Sequence, residues 1–215
     1  MRKKTVVIID YGIGNIFSVK QAFDQIGAAT IITSDSQVVE NAEYLVLPGV
    51  GAFSKAMGSL NNLKLVSSII SAAKRGVPLL GICLGMQMLL DESEEFGVTS
   101  GLGLISGRVE RFPLNKHKHS IVKIPQINWH EMVPIHSKAN WDNSILDKIT
   151  ASDAVYFIHS FVARPCDNSH VLASYMCGEE SIPAVIVRKN VIGCQFHPEK
   201  SGEVGLQILR NFIVQ

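Results

Sequence analysis

The chain has no stretch of about 18 consecutive apolar residues, so no membrane-spanning helix is expected. It has no excess charge of either sign. Twenty Lys and Arg against 19 Asp and Glu leave a formal net charge of +1. So balanced a surface sets up no field that would draw in nucleic acid or an anionic membrane. The four cysteines, Cys83, Cys166, Cys177 and Cys194, show neither CxxC spacing nor a disulfide framework. Free thiols point to a reducing, cytoplasmic setting. The basic start is followed by an apolar run that stops at Asp10, too short for a signal-peptide core and without a small-residue cleavage site. No Pro/Ser-rich linker, repeat or low-complexity segment interrupts the 215 residues. One domain over residues 1–215 is expected, long enough to bury a substantial core.

What is present is a regular alternation. Hydrophobic residues make up 47% and charged residues 18%, which indicates a globular chain. Residues 5–10 form a β-branched run of the kind buried on both faces of a parallel sheet. Helical periodicity follows over 15–26 and stops at Gly27. Residues 30–33 and 44–47 read as further strands, 54–74 as helix and 78–82 as a strand. Strand alternating with helix predicts an α/β fold with a largely parallel sheet and right-handed crossovers. The second half is β-rich, with strands expected at 109–112, 120–124, 155–158, 171–175, 184–187 and 191–195. Residues 188–190 read as a hairpin turn and 205–213 as a closing helix. These strands are expected to extend the same sheet, partly antiparallel, giving a mixed sheet flanked by helices.

The sharpest local signal is Gly81-Ile-Cys83-Leu-Gly85-Met-Gln87. An apolar strand stops at one glycine, presents a cysteine, then meets a second glycine at the start of a helix. That is the pattern of a nucleophile elbow. It lifts a thiol out of the sheet toward a helix N-terminus, where the reactive thiolate is favoured. A lone cysteine in an apolar run is usually core packing; core packing alone has no use for the flanking glycines. The second signal is Gln195-Phe-His197-Pro-Glu199-Lys-Ser201. A cysteine nucleophile needs a base, and the base needs a third group to hold its tautomer. Cys83, His197 and Glu199 supply the three types. His159 also ends a strand and is a rival base.

Other patterns are weaker. Asp10-Tyr-Gly12-Ile-Gly14-Asn15 lies between strand and helix, but Phe17 stands where a dinucleotide fingerprint requires its third glycine. Pro48-Gly-Val50-Gly51 lacks the Lys-Ser/Thr of a phosphate loop. Its glycines would instead let a backbone N–H turn toward a developing oxyanion, together with that of Leu84. Lys116-His-Lys118-His119 reads as a solvated loop, and His130, His136 and His170 as solvated residues of polar stretches. Cys194, Met86 and Met88 read as packed core.

Taken together, the Cys83 and His197 motifs resemble the triad-type class I glutamine amidotransferases. Asp10–Asn15, Pro48-Gly-Val-Gly-Ala-Phe53, Ser93-Glu-Glu95 and Gly101-Leu-Gly-Leu-Ile-Ser-Gly107 narrow the resemblance to glutaminase subunits of imidazole glycerol phosphate synthase. It runs from about residue 5 to residue 213. The resemblance implies hydrolysis of L-glutamine to glutamate and ammonia, without cofactor or metal. The ammonia would pass to a (β/α)8-barrel cyclase subunit, HisF or HisF-like, in a heterodimer. That partner makes imidazole glycerol phosphate and aminoimidazole carboxamide ribotide in histidine biosynthesis. By the same resemblance Cys83 would be the nucleophile, His197 the acid–base and Glu199 its orienting carboxylate. Backbone N–H groups at Val50 and Leu84 would form the oxyanion hole. Gly51, Gln87, Ser160 and Phe161 would line the glutamine pocket, and Asn15, Trp129 and Lys200 would face the partner.

One segment departs from the subfamily. Its usual Pro-His-Met-Gly-Trp-Asn is here Pro125-Gln-Ile-Asn-Trp129-His130. This keeps open a glutaminase serving a HisF-like enzyme that amidates sugars for surface polysaccharides. A catalytically silent binding module and a free-standing peptide hydrolase are the readings from other classes.

Overall fold

A computed structural model describes residues 3–113, 123–135 and 141–214. The strand expected at 120–124, the basic stretch 116–119 and His136 lie wholly or partly outside them. The first half follows the expected alternation: β1 (Thr5–Ile9), α1 (Ile16–Gln25), β2 (Ala29–Thr33), α2 (Ser36–Glu40), β3 (Tyr44–Gly49), α3 (Phe53–Asn62), α4 (Leu65–Lys74), β4 (Leu79–Cys83) and α5 (Leu84–Met88). Short strands β5 (Glu92–Ser93) and β6 (Thr99–Ser100) follow, then β7 (Gly107–Arg111), β8 (Gln126–Glu131) and β9 (Val133–Pro134). The chain continues through β10 (Ala154–His159), β11 (Phe161–Pro165), β12 (Val171–Cys177), β13 (Glu180–Arg188) and β14 (Val191–Cys194), and ends in α6 (Gly202–Phe212).

Eight strands form the central sheet in the order β2-β1-β3-β4-β14-β13-β12-β9. The five from β2 to β14 are parallel, and β13, β12 and β9 add antiparallel pairing. The sheet buries both faces, as its β-branched strands require. Along β1, Val6 and Ile8 join the core under α1 and α6, while Val7 and Ile9 join the core under α3, α4 and α5. Cys83, at the carboxyl end of β4, and Gly49, at the end of β3, are register partners. The elbow and the glycine-rich turn therefore meet at one rim, where ligands bind in open α/β sheets.

Three expectations are corrected. The helix expected over 54–74 is two helices, because Lys64 takes a left-handed φ of 57° between them. The short helix α2 was not expected; Asp35 caps it, accepting from the N–H groups of Gln37 and Val38 at 2.8 and 3.3 Å. Not all second-half strands extend the central sheet. β10 pairs with β8 in a two-stranded ribbon, and β11, β7, β5 and β6 form a four-stranded sheet. Alternating apolar residues give a strand an inner face without naming the sheet it joins. The adjoining ends of β10 and β11 reach the rim that carries Cys83, where residues 158–161 line its cavity.

Candidate active site

The elbow is held by two close approaches. A Cβ on Gly85 would stand 1.8 Å from the Leu47 carbonyl oxygen, and one on Gly81 would stand 2.6 Å from that of Gly85. Only glycine lets α5 press this tightly onto β3 and β4. Between them Cys83 adopts φ 55°, ψ −109°. That region is rarely open to a residue with a side chain, and it stores strain of order 1–3 kcal/mol. The Cys83 side chain is buried, and its Sγ lies 3.6 Å from the Ile158 carbonyl oxygen.

His197 arrives from the neighbouring strand end. Its backbone N–H donates to the Tyr156 carbonyl at 2.9 Å. Ser201 Oγ donates to the His197 carbonyl at 2.7 Å and accepts from the Tyr156 N–H at 3.0 Å, tying the loop to β10. Pro198–Lys200 form a 3-10 turn that swings Glu199 back beneath the ring. Glu199 Oε1 is 2.7 Å from His197 Nδ1, with the two side chains 1% and 3% exposed. This bond holds the Nδ1 proton on the carboxylate side, so Nε2 is the working nitrogen. Among the described residues Nε2 has no hydrogen-bond partner. Burial disfavours the charged ring, but Cys83 and Glu199 outweigh it and raise His197 to about 10.

A cavity of about 250 Å³ opens over this pair. Val50, Gly51, Cys83, Leu84, Gln87, Ser160, Phe161 and His197 all line it, so most of the expected site residues are brought together. Glu199 stands behind His197, outside the cavity. Asn15 is partly buried beside the His197–Glu199 couple. Its Nδ2 reaches Glu199 Oε1 at 3.4 Å. Trp129 and Lys200 lie apart from the cavity lining and share one patch. Half-exposed Trp129 meets Tyr156 edge-on at 5.8 Å, and Lys200 Nζ sits 6.0 Å above the same ring.

His159 lines the cavity but is committed elsewhere. Its Nδ1 lies 2.9 Å from the Phe161 carbonyl and its Nε2 2.8 Å from Tyr175 Oη. A neutral ring donating from Nδ1 and accepting at Nε2 satisfies both contacts. Burial is the main cause of its pKa falling to about 4. It is a structural wall, not a base. His130 is likewise no solvated loop residue. It lies on β8, stacked 4.4 Å from Tyr175, and burial lowers its pKa. His170 is half-buried in a 3-10 turn. Glu95, in the motif Ser93-Glu-Glu95, is a pocket residue beyond those expected from the sequence. Glu95 lines the cavity, and its Oε2 accepts from the Phe53 N–H at 2.7 Å, fastening the start of α3 to the rim. Pro125 also lines the cavity, so the unusual 125–130 segment reaches the site itself.

The class-I glutamine amidotransferase family model matches residues 7–215. Among curated proteins, the imidazole glycerol phosphate synthase subunit HisH 1 of Legionella pneumophila (strain Lens) is 45% identical, with 97% of this chain and 98% of that one covered. Subunit HisH of Geobacillus sp. (strain WCH70) is 45% identical over 95% and 94% of the two chains. That of Lactococcus lactis is 42% identical over 98% of each. Among solved structures, one described as a glutamine amidotransferase superposes with a TM-score of 0.72 at 19% identity, covering 97% of each chain. At that identity the superposition speaks for the fold, and the curated relatives carry the finer grouping. No helix among the described residues is long and apolar enough to cross a membrane. With the fold, the strained elbow and these relatives agreeing, the chain is an enzyme of the class-I glutamine amidotransferase family, in the branch of the HisH subunits.

Proposed function

We propose that this chain is the glutaminase subunit of an imidazole glycerol phosphate synthase. It hydrolyses L-glutamine and passes ammonia to a (β/α)8-barrel cyclase subunit of HisF type in histidine biosynthesis. The observation that carries the chemistry is a strained cysteine and a histidine lining one cavity, with the buried Glu199 carboxylate bonded behind the histidine. The pathway rests on relatives from three genera that all bear the same synthase name. Supply of ammonia to a sugar-amidating enzyme is not favoured by them.

In this reading the thiol proton has passed to His197 Nε2, and the Cys83 thiolate attacks the glutamine carboxamide carbon. The carbonyl oxygen becomes an oxyanion, held by the N–H groups of Leu84 and Val50. His197 returns the proton to the departing nitrogen, releasing ammonia and leaving a γ-glutamyl thioester. The same nitrogen then deprotonates water, which attacks the thioester to give glutamate and restore the thiol. Glu199 keeps the ring in register throughout. Gly51, Ser160 and Phe161 offer backbone groups to the substrate, and Glu95 supplies a carboxylate for its ammonium. The patch of Trp129, Tyr156 and Lys200 is the surface we assign to the cyclase.

The test is glutamate release from glutamine by the purified chain, with and without the cyclase of the same organism and its substrate analogue. Strong stimulation is expected. Cys83→Ala is expected to abolish glutamine-dependent synthesis while ammonia-dependent synthesis by the complex continues. Loss of both activities would overturn this division of labour; no stimulation beside a Cys83 that still reacts with a glutamine-mimicking alkylator would point to another ammonia acceptor.

A further inference from the structure

Beneath the nucleophile lies a chain of amide hydrogen bonds for which the triad has no use. Gln87 Nε2 is 3.1 Å from the Phe161 carbonyl oxygen and 3.1 Å from Gln195 Oε1. Gln195 Nε2 is in turn 3.9 Å from Cys83 Sγ. Gln195 is fully buried just past β14, with its backbone N–H donating to the Ala184 carbonyl at 2.9 Å.

The orientations in this chain are forced from one end. A backbone carbonyl only accepts, so the Gln87 atom beside Phe161 is the NH2 group. An NH2 group only donates, so the Gln195 atom beside it is the oxygen. The remaining Gln195 atom, the one turned to sulfur, is then an N–H donor. Two consequences follow. Both Gln87 N–H bonds are occupied, which leaves its Oε1 as the amide atom able to serve a ligand of the cavity that Gln87 lines. The sulfur of Cys83 meets a donor on the Gln195 side, which supports negative charge on it.

We infer that Gln195 is a positioning residue for the reaction: it holds the second N–H of the Gln87 amide, whose orientation the Phe161 carbonyl sets, and aims an N–H at Cys83 Sγ. The inference rests on the glutaminase reading for its substrate and on geometry alone for its effect on the thiol. A purely apolar side chain would fill the same volume but remove one of the two acceptors that hold the Gln87 NH2 group and leave Sγ without that donor. A carboxylate would still accept from Gln87 but would turn an oxygen toward the sulfur.

Two variants separate these roles in the full chain bound to its cyclase. Gln195→Glu keeps the acceptor for Gln87, so KM for glutamine is expected to stay within about twofold of the parent. Its Cys83 is expected to react with iodoacetamide about tenfold more slowly at pH 8, with the rate–pH curve displaced upward. Gln195→Met removes both functions, and about a tenfold rise in KM is expected together with the slower alkylation. Because Cys166 is also a free, exposed thiol, alkylation is followed on the Cys83 peptide by mass spectrometry. Alkylation unchanged in both variants, or KM moved equally in both, would overturn the assignment. If the parent complex released no glutamate, the glutaminase reading would fail. The alkylation comparison would still decide whether Gln195 acts on the sulfur.

Discussion

Cys83 is one of six non-glycine residues with positive φ among those described, and the only one that is buried. Lys64, Phe96, Asn143, Lys148 and Lys189 take that conformation in exposed segments, where water and loose packing tolerate it. At Cys83 the sheet, the short helix and two glycine contacts hold it in place. Such strain at a nucleophile is a cost accepted for geometry. It should therefore show in the order of two truncations. Alanine normally outlasts glycine inside a strand by about 0.5–1 kcal/mol. At position 83 we expect the reverse, with Cys83→Gly more stable than Cys83→Ala by about 1–2 kcal/mol. Urea midpoints of the two variants decide it; the ordinary order would mean that the elbow is relaxed. The elbow was legible in the sequence because two glycines bracket one cysteine. The roles of His159 and His130 were not legible. Both rings meet Tyr175 on β12, and burial by residues distant in the chain leaves no local pattern.

At the scale of elements, the site depends on how closely α6 presses on the turn that carries Glu199. A Cβ at Gly205 would stand 1.9 Å from the Pro198 carbonyl oxygen, so α6 and the Pro198–Lys200 turn are in backbone contact. Gly205→Ala should push that turn outward and carry Glu199 and His197 with it. We expect glutaminase kcat in the complex to fall by about 100-fold, since small misplacements of catalytic groups cost rates of that order. Gly202→Ala is the comparison. Its φ is 60° but nothing lies within 4 Å of the new Cβ, so it should cost about 1 kcal/mol of stability and leave kcat near the parent's. Similar kcat losses in both would show that general loosening, not this contact, sets the turn. The parallel half of the sheet was readable because β-branched runs buried on both faces alternate with amphipathic helices. The second half was read less well. Periodicity locates β7, β10 and β11 on the chain, but their partners are set by tertiary register. The split between α3 and α4 was missed because the apolar spacing runs on across Lys64.

On the scale of the whole molecule, two histidines should shape stability against pH, with opposite signs. His159 is held neutral. Burial is the main cause, and the nearby charges of His130 and His197 add to it, while the Phe161 carbonyl works the other way. Its folded pKa of about 4 lies below the unfolded value near 6.5. As pH falls from 6.5 toward 4, the unfolded chain takes up a proton that the folded one refuses, so stability is lost on the acid side. The full contribution is about 3 kcal/mol. His197 is raised to about 10, because Cys83 and Glu199 together outweigh burial. Its stabilisation is complete below pH 6.5 and is lost as pH rises through about 10. The chain should therefore be most stable near neutrality, with a different residue responsible for each flank. Urea unfolding of the parent, His159→Gln and His197→Asn from pH 4 to pH 10 measures both. His159→Gln should flatten the acid flank and leave the alkaline one, and His197→Asn should do the opposite. The division matters for the chemistry as well as for folding. A neutral His159 leaves His197 as the one histidine of the cavity wall that carries a proton toward the sulfur. An acid flank unchanged by His159→Gln would mean that the folded chain takes up the His159 proton as readily as the unfolded one, so that burial does not hold this ring neutral below pH 6.5.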